Sequence, residues 1–131
     1  MAKKLTIVGD NYISKNLYHN LKRYGKYTPD IISDISFLKE KVDYIVDTTF
    51  NKRLQNLSIT YAKKNNINKL LILNHWKIND LDEPNITQII IYDVISEEHS
   101  SFEREGVGNQ EDNKIYYCNF IAETVRRILV R

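Results

Sequence analysis

Cysteine is nearly absent from the sequence, and the single Cys118 has no partner for an internal disulfide. The three histidines, His19, His75 and His99, stand far apart without metal-ligand spacing, so with one cysteine a zinc site is not expected. There is no apolar run of about 18 residues, the length a membrane-spanning helix needs, and no short apolar segment behind Met1 of the signal-peptide kind. These absences predict a cytoplasmic protein without a membrane partner. No charge of one sign dominates: 19 Lys and Arg stand against 17 Asp and Glu, a net charge of +2, and the basic residues are scattered in pairs. A nucleic-acid surface would need them gathered on one face. Internal repeats and low-complexity segments are missing as well.

What is present is an ordinary globular composition, 42% apolar and 27% charged over 131 residues, which suits one domain spanning residues 1–131. Lys4 to Val8 is a short β-rich run ending at Gly9, and Ile13, Leu17, Leu21 and Tyr24 then recur at helical spacing until Gly25. Pro29 with Ile31 and Ile32 suggests a brief second strand ending near Asp34, with Phe37 and Leu38 in a short helix. Val42 to Val46 reads as a third strand closing at Asp47, and Leu54, Leu57, Tyr61 and Ala62 mark a helix between Asn51 and Asn66. Lys69 to Leu73 is a continuous apolar run of the kind buried on both sheet faces. Gln88 to Val94 makes a fifth strand, residues 96–113 read as a long loop or flap, and Ile115 to Val130 carries a last helical stripe with Arg126 and Arg127 near its end. Alternating strands and helices predict an α/β, three-layer Rossmann-like fold with a mostly parallel five-stranded sheet.

A strand that feeds a helix through a glycine aims the free amides of the helix N-terminus at any anion bound there. Gly9 occupies that position, in the stretch TIVGDNYISKNLYHNL. That stretch resembles the opening of the extended short-chain dehydrogenase/reductase family, the sugar-nucleotide epimerases and dehydratases, whose turn commonly runs T-G-x-x-G-F-I-G-x-x-L. In this comparison Gly9 keeps the first glycine, Tyr12 and Ile13 the aromatic-Ile pair, and Ser14 replaces the last glycine, while Asp10 enters the turn. VDYIVDTTF and KKNNINKLLILN look like that family's third strand with its adenine-side loop and its fourth strand. The resemblance implies NAD or NADP as cofactor, with Gly9, Asn11, Tyr12, Ile13, Ser14, Asp47, Thr48, Thr49 and Asn74 around it, and Asp34 on the adenosine ribose.

The family's catalytic set is incomplete here. Its chemistry uses a Tyr activated by a Lys four residues later, yet Phe120 follows Tyr116 and Ile121 follows Tyr117 at that distance. Asn74, His75 and Trp76 stand where a Ser or Thr would orient the substrate. Tyr116, Tyr117 and His75 are the remaining candidates for catalysis. Trp76 can stack on a flat ring, or pack with His75. Cys118, among apolar neighbours, suits a buried small residue.

The opening segment also looks like the first strand of a response-regulator receiver domain. That resemblance implies Asp47 as phosphoacceptor, but Gly9 replaces one of the paired acids and Tyr92-Asp93 stands where the receiver's Lys belongs. The reading that combines these observations is a nucleotide- or dinucleotide-binding protein, without a complete catalytic set, that acts as an accessory or regulatory subunit. The alternatives are a receiver-like, flavodoxin-like interaction module without a ligand and a small NAD-dependent epimerase- or reductase-like enzyme. Tyr116, Tyr117 and Phe120 exceed what covers a small sheet and predict a homodimer.

Overall fold

The computed structural model describes residues 2–91 and 110–130, with side chains of the second stretch described from Cys118 onward. The chain forms β1 (Lys3–Val8), α1 (Tyr12–Tyr24), β2 (Tyr27–Ile32), a 3-10 turn (Ile35–Phe37), β3 (Tyr44–Asp47), α2 (Lys52–Asn65), β4 (Lys69–Asn74), β5 (Ile86–Ile90) and α3 (Gln110–Leu129). The strands make one five-stranded sheet in the order β2-β1-β3-β4-β5, and every pairing is parallel. The predicted α/β class and five strands are therefore present, and the sheet is parallel throughout.

Alternation along each strand divides the core in two. Leu5 and Ile7 of β1, Tyr44 and Val46 of β3, and Leu71 and Leu73 of β4 face α1 and α3, where Leu17, Leu21, Ile121 and Val125 complete one apolar layer. Val8, Ile45, Leu70 and Ile72 face the other way, against Ile59 and Ala62 of α2 and Ile35 of the 3-10 turn. Fully burying one such aliphatic side chain contributes about 1.5–3 kcal/mol, so the two layers carry the stability of the fold.

Local signals set the ends of the elements. α1 stops where Gly25 adopts φ 83°, a left-handed conformation that costs glycine little, and its N–H donates to the Leu21 carbonyl at 3.3 Å. β2 spans Tyr27–Ile32, starting two residues before Pro29 and ending short of Asp34, and it can hold a proline because it is an edge strand. β5 ends at Ile90, short of Val94. The expected flap over 96–113 needs one correction: Gln110–Asn113 already belong to α3, and residues 96–109 lie outside the described residues.

The order 2-1-3-4-5 is that of flavodoxin-like sheets, whereas the dinucleotide-binding order 3-2-1-4-5-6 places a further strand outside β2. Here the β2-to-β3 connection holds only the 3-10 turn. Removing the outermost strand from the dinucleotide order leaves the same neighbours, so this sheet accommodates both resemblances. In either case the direction of winding reverses between β1 and β3, and sheets of this kind take their ligands outside the carboxyl ends of the strands at such a switch.

Candidate functional site

At the carboxyl end of β1 the chain turns through Gly9, which is buried and has φ 149°. A Cβ there would collide with Thr48 Oγ1 and lie 3.1 Å from the Thr48 carbonyl oxygen, so the β1–α1 turn and the end of β3 approach closely only because residue 9 is glycine. Hydrogen bonds seal the approach. The Thr48 N–H and Oγ1 both donate to the Val8 carbonyl, at 2.7 and 2.9 Å, and Asn11 Nδ2 donates to the Thr48 carbonyl at 2.7 Å. Asn11 is also the N-cap of α1. Its Oδ1 accepts from the Ser14 N–H at 2.9 Å, while the Asn11 N–H donates to Ser14 Oγ at 3.0 Å, a reciprocal capping box. Ser14, fully buried, thus occupies itself with the helix start.

One layer below, the polar side chains at the ends of β3 and β4 point beneath α2. Asp47 is 0% exposed, and its carboxylate accepts from Ser58 Oγ at 2.7 Å and from the Thr49 N–H and Oγ1 at 2.9 and 2.7 Å. Burial pushes its carboxyl above the usual carboxylate range, against the opposing effect of the hydrogen bonds from Thr49 and Ser58. Beside it, Gln55 Nε2 donates to Asn74 Oδ1 at 2.6 Å and Asn74 Nδ2 donates to Gln55 Oε1 at 3.2 Å. This reciprocal pair satisfies two fully buried amides, and it locks α2 over β4.

Aromatic side chains gather just past the ends of β3 and β4. Phe50 adopts φ 53°, a conformation that costs a bulky L-residue on the order of 1–3 kcal/mol and persists only when its surroundings enforce it. Its ring stacks on His75, with centroids 4.8 Å apart and planes 20° from parallel. Next to them Lys52 lies over the Trp76 ring at 5.9 Å, and Tyr12 opens α1 with 52% of its surface exposed. Asp10, exposed in the turn, has Lys15 Nζ 3.9 Å away.

The expected site residues therefore separate into three groups. Gly9, Asn11, Tyr12, Ile13, Ser14, Thr48 and Thr49 come together around the β1–α1 turn, with Ile13 anchored in the core. Asp47 and Asn74 stand at the strand ends with their side chains turned under α2, and His75 stands at the rim. Asp34 lies beyond β2, where its Oδ1 accepts from the Ser36 N–H at 2.9 Å as N-cap of the 3-10 turn. Hydrogen bonds from Ser36 and the charge of Arg53 hold the Asp34 carboxyl below its ordinary range. Tyr116 and Tyr117 belong to the first half of α3, and their side chains lie outside the described residues. Phe50 was not among the expected residues, although it directly follows Thr49 and precedes Asn51, the N-cap of α2. Among the described residues no group of three or more His, Cys, Asp or Glu side chains could hold a metal, and no helix is long and apolar enough to cross a membrane. No protein-family model matches the chain, and no curated protein or solved structure matches it either.

Proposed function

We propose that the chain binds a nucleotide or dinucleotide of the NAD or NADP class at the β1/β3 switch and serves as an accessory or regulatory subunit. The observation that carries this reading is the Phe50–His75 stack, held by an unfavourable backbone conformation at the mouth of the crevice where doubly wound sheets take their ligands. A planar base would lie against Phe50, His75 and Trp76, and the sugar and phosphates would run toward Asn11, Tyr12 and Thr49. An epimerase- or reductase-like reaction would further require Tyr116, Tyr117 or His75 for turnover.

A thermal-shift titration with NAD, NADP and ATP tests the proposal, because a ligand selective for the folded state raises stability by RT ln(1 + [L]/Kd). A saturable shift that weakens in His75→Ala is the expected result; no shift with any of the three would refute it. His75 is exposed, so its replacement should leave the fold intact.

One observation favours the second reading, an interaction module of the receiver-like, flavodoxin-like kind. Polar groups expected at the site are already engaged: Ser14 in the capping box, Asp34 on Ser36 and Asp47 on Thr49 and Ser58. The Asp47 carboxylate, fully buried under α2, offers no face to a phosphodonor. Unchanged stability with all three nucleotides, together with concentration-dependent self-association, would be the signature of such a module.

A further inference from the structure

The β2-to-β3 connection leaves part of the second sheet face without a helix, and a cleft of about 440 Å³ opens there between β1, β2 and the segment 37–42. That volume lies in the ordinary range of small-molecule sites, roughly 300–1,000 Å³. Its walls are held in place. Lys4 Nζ meets Glu40 Oε2 at 2.8 Å, and the Asp43 N–H donates to the Lys4 carbonyl at 2.9 Å, so the segment is tied to β1 at both levels.

Two polar groups in the cleft have unused capacity. Thr6 lines it and is only 1% exposed, yet its Oγ1 has no hydrogen-bond partner among the described residues. A buried hydroxyl in that state is unfavourable until something pairs with it. Asp30 stands opposite Thr6 in the parallel register and also lines the cleft. One of its carboxylate oxygens accepts from the Ile31 N–H at 2.9 Å, and no described lysine or arginine forms a salt bridge with it. Ile32, Leu38 and Val42 supply apolar surface and Phe37, 60% exposed, stands beside them, while Lys39 and the Lys4–Glu40 pair also line the cleft.

We propose that this cleft is a second small-molecule site, separate from the nucleotide crevice, for a flat apolar ring bearing an N–H donor such as an aromatic amidine or amine. The ring lies against Phe37 and Leu38, and the donor group reaches the Asp30 carboxylate and Thr6 Oγ1 together. At the Thr6–Asp30 end the carboxylate favours a donor or cation over an acid, while Lys4 is already paired with Glu40 and Lys39 lies on the segment with Phe37.

Benzamidine is the probe, followed by backbone amide resonances in a titration of the full chain, with benzoate as the control of equal shape and opposite charge. The expected result is a saturable shift clustered at Thr6, Asp30 and Phe37 with benzamidine and none there with benzoate. Thr6→Val, which keeps the shape and removes the hydroxyl, should weaken benzamidine about tenfold without lowering thermal stability. Asp30→Asn should weaken it as well, and neither change should alter a nucleotide titration. Equal binding of benzoate, shifts confined to other residues, or unchanged benzamidine affinity in Thr6→Val would overturn the proposal. In the last case the unpaired hydroxyl is only a cost of packing.

Discussion

Replacing Gly9 by alanine places a methyl group where Thr48 already stands, and two separable costs follow. The first is conformational: φ 149° is disfavoured for an L-residue, at roughly 1–3 kcal/mol. The second is steric, because the new Cβ meets Thr48 Oγ1, and forcing extra volume into a packed region costs about 1–3 kcal/mol. Gly9→Ala should therefore lose roughly 2–6 kcal/mol, a large share of the roughly 5–15 kcal/mol that stabilises a domain. Thr48→Ala alone removes the hydroxyl that donates to the Val8 carbonyl together with a buried γ-methyl, a loss of roughly 1–3 kcal/mol. In the double variant the Oγ1 obstacle is gone, while contacts of 3.1 and 3.2 Å with the Thr48 carbonyl group remain. Urea unfolding followed by circular dichroism should show the double variant more stable than the sum of the single changes by about 1–3 kcal/mol. Additivity within about 0.5 kcal/mol would refute the argument that Thr48 is what makes glycine necessary at position 9.

Asp47, raised by burial, binds its proton more readily in the folded chain than in the unfolded one. Its contribution to stability is thus fully present below the unfolded pKa of about 3.9 and is lost as pH rises through the folded value. Asp47→Asn should flatten that decline, and parallel pH profiles of the two proteins in urea unfolding would contradict it. At position 50, Gly suits φ 53° better than Ala and both lack the ring, so Phe50→Gly should exceed Phe50→Ala in stability by about 1 kcal/mol; the reverse order would argue against the left-handed conformation. Asn74→Ala strands a buried Gln55 amide and should cost about 1–3 kcal/mol, with little further loss when Gln55→Ala is added. The homodimer proposed from Tyr116, Tyr117 and Phe120 predicts sedimentation above the 15.5 kDa of one chain at micromolar concentration, and a single 15.5 kDa species would exclude it.

The strand and helix alternation was legible because burial on both sheet faces writes continuous apolar runs such as Lys69 to Leu73, and Gly25 marks its helix end by chemistry alone. Boundaries were less legible where polar residues enter regular structure. The second strand was expected around Pro29 to Ile32, yet it also takes in Tyr27 and Thr28 and ends at Ile32, short of Asp34, as an edge strand exposed along one side. At the candidate site, Gly9 announced itself, since glycine between a strand and a helix has few other reasons. The use of Asp47 and Asn74 did not, because Ser58 and Gln55 reach them from a helix turn that no local pattern links to a strand end. Phe50 was hidden for a related cause. A left-handed aromatic contradicts its own propensity, and only the tertiary setting of His75 and the start of α2 explains it.

Pro29 in β2 has a consequence for assembly. An open parallel sheet exposes a row of backbone donors and acceptors along its border, where another chain can add by strand pairing. Pro29 lacks an N–H, and the adjoining Thr28 and Asp30 are exposed, so this border is a poor template for another strand. Two copies of this protein would accordingly not extend one another's sheet through the β2 border.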